Sequence, residues 1–304
     1  MISMVIPTKN RAHTLKLVAQ SYFAQEGVSE IIFVNDGGDD ETHKVLENIS
    51  KDFPDVTLKI HDNPTSVGAS EARNIGSNLA SNDYILFCDD DEYMERGYAK
   101  TCLEKLKSLD AGAVSGRRIY MRDGENLDGA LLRFGNGMRR SKPMNYVICE
   151  LVNGAIYDGD LSLPFTNAII LTRKDLLEQF PFDGFYARGN GYREETDYQM
   201  NLFVNGYDIY VTNDCHTMHL PMSQVKTGGQ RVNKFRRIYW AIYYTNYFFN
   251  KYYDRYAKRV NIKTPKKVAL LLFSVFAVYK EFLRPPLYSV AMTVLKFKRS
   301  IKKG

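Results

Sequence analysis

Short apolar runs alternate with helix-length amphipathic stretches over the first hundred residues. Residues 4–6, 30–34, 56–60 and 84–88 read as strands, each a short, largely apolar or β-branched run bounded by polar turns. Residues 14–24, 40–51 and 70–80 between them read as helices. Strands separated by single helices predict an α/β fold, a mostly parallel sheet with helices on both faces. In such sheets ligands bind beyond the carboxyl ends of the strands.

Residues 105–170 carry less periodicity, with strand-like pieces at 113–116 and 169–171 around a polar, Gly-rich stretch. A helix is expected at 173–179, another from about 194 to 205, and a last strand at 209–211. Beyond residue 225 the pattern changes. Residues 234–256 place eleven aromatics in 23 positions, interleaved with Arg236, Arg237, Lys251 and Arg255. A basic linker at 263–267, an apolar run at 268–279, Pro285-Pro286, a second apolar stretch at 287–295 and a lysine-rich end follow. The two prolines must end the helix before them. Twelve apolar residues fall short of the roughly 20 that span a bilayer. Two short apolar helices flanked by cations suit the bilayer interface instead.

Charge reinforces that division. The 304 residues are 44% apolar and 25% charged, a globular composition that excludes a disordered, collagenous or disulfide-stapled chain. The net charge of +6 is a sum of opposites. Residues 1–225 hold 22 Lys and Arg against 33 Asp and Glu, whereas residues 226–304 hold 19 against 2. A domain at 1–225 and a basic, aromatic-rich helical region at 226–304 are therefore expected, the second facing an anionic membrane surface. Cys88, Cys102, Cys149 and Cys215 show no C-x-x-C spacing, which points to reduced thiols. The opening Met1-Ile2-Ser3-Met4 lacks a basic leader region, so no signal peptide is expected. The expected location is cytoplasmic, peripheral on the inner face of the cell membrane.

Candidate chemistry sits at the strand ends. The first strand runs into Pro7-Thr8-Lys9-Asn10-Arg11, the second into Asn35-Asp36-Gly37-Gly38, and the fourth into Asp89-Asp90-Asp91-Glu92. These loops are expected to share one crevice. None is a G-x-G-x-x-G or Walker A loop. Three adjacent carboxylates repel one another, a cost that a divalent cation offsets. In an extended segment Asp89 and Asp91 would face one way and Asp90 the other. A solvated turn capping the next helix would use the same residues. Glu194-Glu195-Thr196-Asp197 opens a helix, which fits either a cap or a general base. His216 and His219 follow the last expected strand and suit either a metal or plain polar surface. Arg73-Asn74 lies early in a helix, where an arginine can meet a phosphate.

In this order, residues 5–11, 32–37, Gly68 with 72–76, 87–91 and 194–197 resemble the family-2 glycosyltransferases of GT-A fold, over roughly residues 2–220. Phe182-Asp183 and His219 also sit where that family places a Phe-Asp pair and a histidine. The resemblance implies that Pro7, Thr8, Arg11 and Asp36 line a nucleotide pocket, with Asp36 accepting from the base. Arg73, Asp89 and Asp90 would lie at the diphosphate. Asp91, Asp89 and His219 would hold Mn²⁺ or Mg²⁺, with Asp91 the direct ligand. Glu195 would be the catalytic base, and Glu194 is its rival.

Two positions depart from the commonest family pattern: Asn35 replaces the first aspartate of D-D-G, and Glu195 replaces an aspartate. The activity implied is an inverting, metal-dependent transfer from a nucleoside-diphosphate sugar, a UDP-sugar first, to a hydroxyl of a glycan or lipid-linked acceptor. A sugar-phosphate nucleotidyltransferase would share the layout but opens with a Gly-rich basic loop, which 7–11 is not. A nucleic-acid-binding protein could use the basic end, yet the acidic body would repel phosphate and no recognition motif is present. Nucleic acid is therefore not an expected partner.

Overall fold

The computed structural model describes residues 1–137, 143–152, 159–225 and 233–284. The chain divides into two compact units, Met1–Asn145 with Cys149–Gly229 and Tyr146–Ile148 with Gln230–Gly304. The first unit opens with β1 (Ile2–Thr8), α1 (Ala12–Phe23), β2 (Val28–Asp36), α2 (Thr42–Ser50), β3 (Thr57–Asn63), α3 (Ala69–Leu79) and β4 (Tyr84–Phe87). It continues through β5 (Glu92–Met94), α4 (Tyr98–Ser108), β6 (Ala113–Tyr120), α5 (Leu127–Gly137), β7 (Met144–Asn145) and β8 (Glu150–Leu151). Then follow β9 (Leu161–Leu163), β10 (Leu171–Arg173), α6 (Lys174–Gln179), a 3₁₀ turn at Gly184–Ala187, α7 (Glu194–Val204) and β11 (Ile209–His219).

The main sheet runs β3-β2-β1-β4-β10-β6-β11-β5, with β9 also on β11. Strands β1 to β4 are parallel, as the helix-strand alternation predicts. Strand β10 enters antiparallel between β4 and β6, and β5 and β9 run against β11, which is itself parallel to β6. Leu15, Val18 and Tyr22 of α1 are buried with Met4, Ile6, Phe33 and Leu86 of the sheet. Each such side chain contributes roughly 1.5–3 kcal/mol by leaving water. On α3, a Cβ at Gly76 would come within 2.4 Å of Val5 Cγ1, so glycine lets that helix lie directly on β1.

Two helices escaped the sequence pattern. In α4 the buried positions are Tyr98, Ala99, Cys102 and Leu106, a helical spacing that follows a left-handed Gly97. The short, Gly-containing α5 starts where the Asn126 side chain accepts from Gly129 N at 2.8 Å. Strand β11 also runs eight residues beyond the expected end at Val211. Its Thr-Asn-Asp stretch is an irregularity in the pairing with β6 rather than a turn, and Arg117 holds Asn213 there at 2.7 Å. His216 and His219 thus lie on the strand itself, not after it.

The second unit contains α8 (Lys234–Arg259) and α9 (Lys266–Val278), followed by a π-helical turn at Tyr279–Leu283. Asn233 caps α8, its side chain accepting from Arg236 N. Tyr244, Phe248, Phe249, Tyr252, Tyr253 and Tyr256 are buried along one side. The Tyr253 and Tyr256 hydroxyls donate to the carbonyls of Val147 and Tyr146, at 3.2 and 2.6 Å, so burial leaves neither polar tip without a partner. No described helix is long and apolar enough to cross a membrane. Pro285-Pro286, the apolar stretch 287–295 and the lysine-rich end lie outside the described residues.

Candidate active site

The loops after β1, β2 and β4 meet. Asp40 accepts from Ala12 N at 2.8 Å, Asn10 accepts from Asp39 N at 2.8 Å, and Arg11 reaches Asp91 at 3.3 Å and Asp90 at 3.8 Å. Pro7 fits its strand because β4 pairs with β1 only as far as Val5, so no ladder partner misses its N–H. Thr8 is buried beside Asp90.

Asp36 already has partners. Its carboxylate accepts from Asn63 Nδ2, Ser66 Oγ, Val67 N and Gly68 N at 2.5 to 3.0 Å, which pins the loop that starts α3. Burial would raise this carboxyl, but Ser66, Val67, Asn63 and Gly68 together hold it below the usual range. Gly68 is required there: its φ is +89°, and a Cβ would lie 2.7 Å from Ala187. Asn35 has its own reason. Its amide donates to Asp62 Oδ1 at 2.7 Å and to Gly38 O at 3.0 Å, where an aspartate would face the Asp62 carboxylate.

Asp89, Asp90 and Asp91 lie in a turn, since β4 ends at Phe87 and β5 begins at Glu92. The alternation expected of an extended segment therefore fails. Asp89 faces Arg73 and Arg118, at 3.0 Å each, while Asp90 and Asp91 both face Arg11. The Tyr22 hydroxyl lies 2.9 Å from the carbonyl of Asp89 and 2.6 Å from that of Glu92, which fixes the turn from beneath. Burial would raise Asp89, but the Arg118 and Arg73 guanidiniums hold it below the usual carboxylate range. Asp90 is different: burial, with Asp91 and Asp89 adding to it, pushes its carboxyl up to about 7 against the pull of Arg11 and Thr8. Burial raises Glu92 to about 8 in spite of Arg118.

Asp91, Glu92 and His219 bring one ligand atom each to within 4.8 Å of one another. Strand pairing places Glu92 opposite His219. His219 Nδ1 lies 2.6 Å from the Leu220 carbonyl, so it carries the hydrogen and Nε2 offers a lone pair, 3.7 Å from Asp91 Oδ1. The buried Glu92 Oε2 has no hydrogen-bond partner among the described residues. Two carboxylates and a neutral imidazole suit Mn²⁺ well and also accommodate Mg²⁺. Asp89 is outside this group, and Glu92 stands in the place expected for it. His216 is not in it either, with Nδ1 2.9 Å from Glu95.

The helix α7 brings the last carboxylates. Arg73 ion-pairs with Glu194 and lies 3.5 Å from Glu195, while its guanidinium sits 5.7 Å from the Phe182 ring. Asn74 fixes Phe182 by exchanging hydrogen bonds with its backbone N and O, at 2.9 and 3.0 Å, and Asp183 caps the 3₁₀ turn through Phe185 N. The Glu194 side chain is 5% exposed and the Glu195 side chain 28%, so Glu195 is the glutamate open to a ligand. Burial and then Asp89 raise its carboxyl above the usual range, with Arg73 opposing. Asp197 accepts from the Tyr186 hydroxyl at 2.9 Å within the fold. Two arginines escaped the sequence reading. Arg118 lies mid-strand in β6, and Arg193, left-handed at φ 76°, reaches Cys149 O and Glu150. A buried strand containing Arg117-Arg118 was the available signal, because charge in such a strand needs a partner.

A model of the family described as glycosyl transferase family 2 matches residues 3–173. Glycosyltransferase GlyA of Streptococcus pneumoniae serotype 4 is 28% identical over 128 residues, 41% of this chain and 18% of that protein. The GalNAc(5)-diNAcBac-PP-undecaprenol beta-1,3-glucosyltransferase of Campylobacter jejuni is 30% identical over 105 residues, 34% of each chain. The chain thus spans about a third or less of these curated relatives. Among solved structures, S. aureus TarS 1-349 in complex with UDP aligns with a TM-score of 0.58 at 15% identity, covering 95% of this chain and 74% of that one. The mannosyltransferase PcManGT of Pyrobaculum calidifontis, in complex with GDP-Man and Mn²⁺, aligns at 0.57 and 14%, covering 97% and 79%. At such identities the likeness concerns the fold, which is the α/β fold of GT-A transferases. The family match covers more than half the sequence and takes in the β1, β2 and β4 loops that build the site: the chain belongs to glycosyl transferase family 2.

Proposed function

We propose that the protein transfers a sugar from a nucleoside-diphosphate sugar, a UDP-sugar first, to a hydroxyl of a glycan or lipid-linked acceptor, with inversion at the anomeric carbon. One observation carries the reading: a donor group of Asp91, Glu92 and His219 is joined to the open Glu195 by a chain of ion pairs through Arg118, Asp89 and Arg73. The family supports the class of reaction, and neighbours of the same fold were solved with UDP, UDP-GlcNAc and GDP-Man. A sugar-phosphate nucleotidyltransferase loses its support with the family assignment.

Asp91, Glu92 and His219 would hold Mn²⁺ or Mg²⁺. A cation bound there supplies neutralisation of the charge that develops on the departing diphosphate. Pro7, Thr8 and Arg11 line the nucleotide side, and Asp36 shapes it by fixing the loop at 63–68, its carboxylate already taken up by four donors. Glu195 takes the proton of the acceptor hydroxyl, whose oxygen bonds to the anomeric carbon as the bond to the diphosphate breaks on the opposite face. Glu194, locked on Arg73, orients rather than reacts. The test is a screen of nucleotide sugars for Mn²⁺-dependent hydrolysis and thermal stabilisation. At least one donor should give both, and a full panel giving neither would overturn the reading.

The second unit is proposed to seat the enzyme on an anionic membrane surface, cytoplasmic in orientation. Ala269, Phe273 and Ala277 of α9 are buried, but Val268, Leu271, Leu272, Val275 and Val278 are exposed along the same helix. Lys266 and Lys267 stand at one end of this face and Lys280 and Arg284 at the other. An exposed apolar stripe with cations at both ends matches a bilayer interface with anionic headgroups. Full-length protein should sediment with phosphatidylserine vesicles, and Leu271→Glu with Leu272→Glu, or truncation after Asn261, should release it. Equal sedimentation of all three would sink the proposal.

A further inference from the structure

Arg118 occupies an unusual position. On β6 it is in register with Thr217 of β11, and two residues later Tyr120 pairs with His219, which pairs in turn with Glu92 of β5. Tyr120, His219 and Glu92 form one row across three strands. Arg118 lies on the same face as Tyr120 with its guanidinium 5.4 Å from that ring. Its Nε donates to Glu92 Oε1 at 2.6 Å and its Nη2 to Asp89 Oδ2 at 3.0 Å. One side chain therefore ties a member of the cation-ready group to the first aspartate of the acidic turn.

Counting charge around it shows what is missing. Asp89, Asp90, Asp91, Glu92, Glu194 and Glu195 are joined through ion pairs to three guanidiniums, Arg11, Arg73 and Arg118. Carboxylates outnumber guanidiniums two to one in a largely buried cluster, and Glu92 Oε2 is without a partner among the described residues. A dication would correct the deficit, but it would draw on the Glu92 carboxylate whose Oε1 Arg118 already holds and be repelled by the guanidinium charge. Once those oxygens are neutralised, a planar guanidinium is left with a fork that fits a diphosphate as well as it fitted the carboxylates.

We propose that Arg118 is a positioning residue that changes partners: it stands in for the cation beside Glu92 and, when a divalent cation binds, turns from Glu92 and Asp89 to an oxygen of the donor diphosphate. The proposal rests on the donor and cation reading given above. It adds that Arg118 couples the two ligands, so that each strengthens binding of the other by the same factor. It also fixes an order of affinities. In the absence of nucleotide Arg118 opposes the cation, and in its presence Arg118 favours the diphosphate.

The test uses full-length protein. Mn²⁺ alone is titrated with free Mn²⁺ read by electron paramagnetic resonance, and UDP and GDP are then titrated by calorimetry with and without saturating Mn²⁺. Arg118→Gln should bind Mn²⁺ alone about tenfold more tightly, bind the nucleotide about tenfold more weakly at saturating Mn²⁺, and show a weaker coupling between them, leaving only the direct attraction of cation and diphosphate. Opposite signs for the two ligands are not what a general loosening of the site would give. Arg118→Lys keeps the charge without the fork. It should leave Mn²⁺ affinity near wild type while weakening nucleotide, and it carries the test if the glutamine variant does not fold. Unchanged or weaker Mn²⁺ binding by folded Arg118→Gln, or unaltered coupling in Arg118→Lys, overturns the proposal. If the wild-type protein binds neither Mn²⁺ nor nucleotide, the donor and cation reading itself fails, an outcome visible before any variant is made.

Discussion

The parallel strands bury carboxylates at both of their ends and treat them in opposite ways. At the amino ends, Glu30 of β2 lies in register with Ser3 of β1, and its oxygens accept from Ser3 Oγ, Ser81 N and Ser81 Oγ at 2.5 to 2.9 Å, with Lys59 at 2.5 Å. Burial would raise that carboxyl, but Lys59, Ser3 and Ser81 bring it down to about 2. At the carboxyl ends, Asp90 and Glu92 are pushed up to about 7 and about 8, and an oxygen of Glu92 lacks a partner among the described residues. The first cluster is completed by its own chain, and the second is short of positive charge and donors. A buried acid therefore marks a site by the deficit around it, not by its presence.

The largest effect that probes this contrast is at the site's open edge. Glu195→Gln should lower transfer by roughly 10²- to 10⁴-fold, about 3 to 5 kcal/mol of barrier, with nucleotide affinity kept. Turnover near wild type would remove Glu195 from the chemistry. At the other end Glu30→Gln should leave turnover per folded molecule intact and cost about 3 kcal/mol of stability near neutral pH. The sign follows from the shift. A carboxyl at about 2 in the fold against 4.5 ordinarily contributes fully above about pH 4.5, and the contribution is lost as the pH falls toward 2. Urea unfolding should show the gap between wild type and variant shrinking to about half by pH 3, and a gap independent of pH would contradict the charge account.

The same contrast explains what the sequence disclosed. The acidic turn, Arg73, Glu194-Glu195 and the first four strands were legible because each is local: a short apolar run, then charge. Glu30 looked like an ordinary polar residue at the start of a strand, since its partners Lys59 and Ser81 are brought to it only by the sheet and by the end of α3. Arg118, and its pairing with Glu92, are not legible for a related reason. The two meet through pairings of β6, β11 and β5 that cross about a hundred residues of sequence, within a stretch where periodicity was weak. Asn35 reads as a departure in sequence and as a requirement in the structure, where Asp62 needs a donor opposite it.

A metal should separate the clusters as well. With Mn²⁺ at about a hundred times its dissociation constant, the wild-type protein gains about 2.7 kcal/mol of stability. Asp91→Asn should lose that gain, whereas Glu30→Gln should keep it, measured as the Mn²⁺-dependent rise in melting temperature of each. An undiminished rise in Asp91→Asn would place the cation elsewhere.

The smallest effect is the one of opposite sign. Asp90 lies outside the cation-ready group, and Arg11 is closer to Asp91, at 3.3 Å, than to Asp90, at 3.8 Å. Replacing Asp90 by Asn therefore removes a buried charge repelled by Asp89 and Asp91 while leaving the better Arg11 pair in place. Without metal or nucleotide, Asp90→Asn should stabilise the protein by about 1 kcal/mol near pH 8, read by chemical denaturation. The equivalent neutralisation at Glu30 destabilises. If Asp90→Asn destabilises too, the acidic turn is satisfied by its own chain, and the distinction between the two ends of the sheet fails. If it stabilises while nucleotide affinity falls, Asp90 is a charge that the fold tolerates for the sake of its ligand.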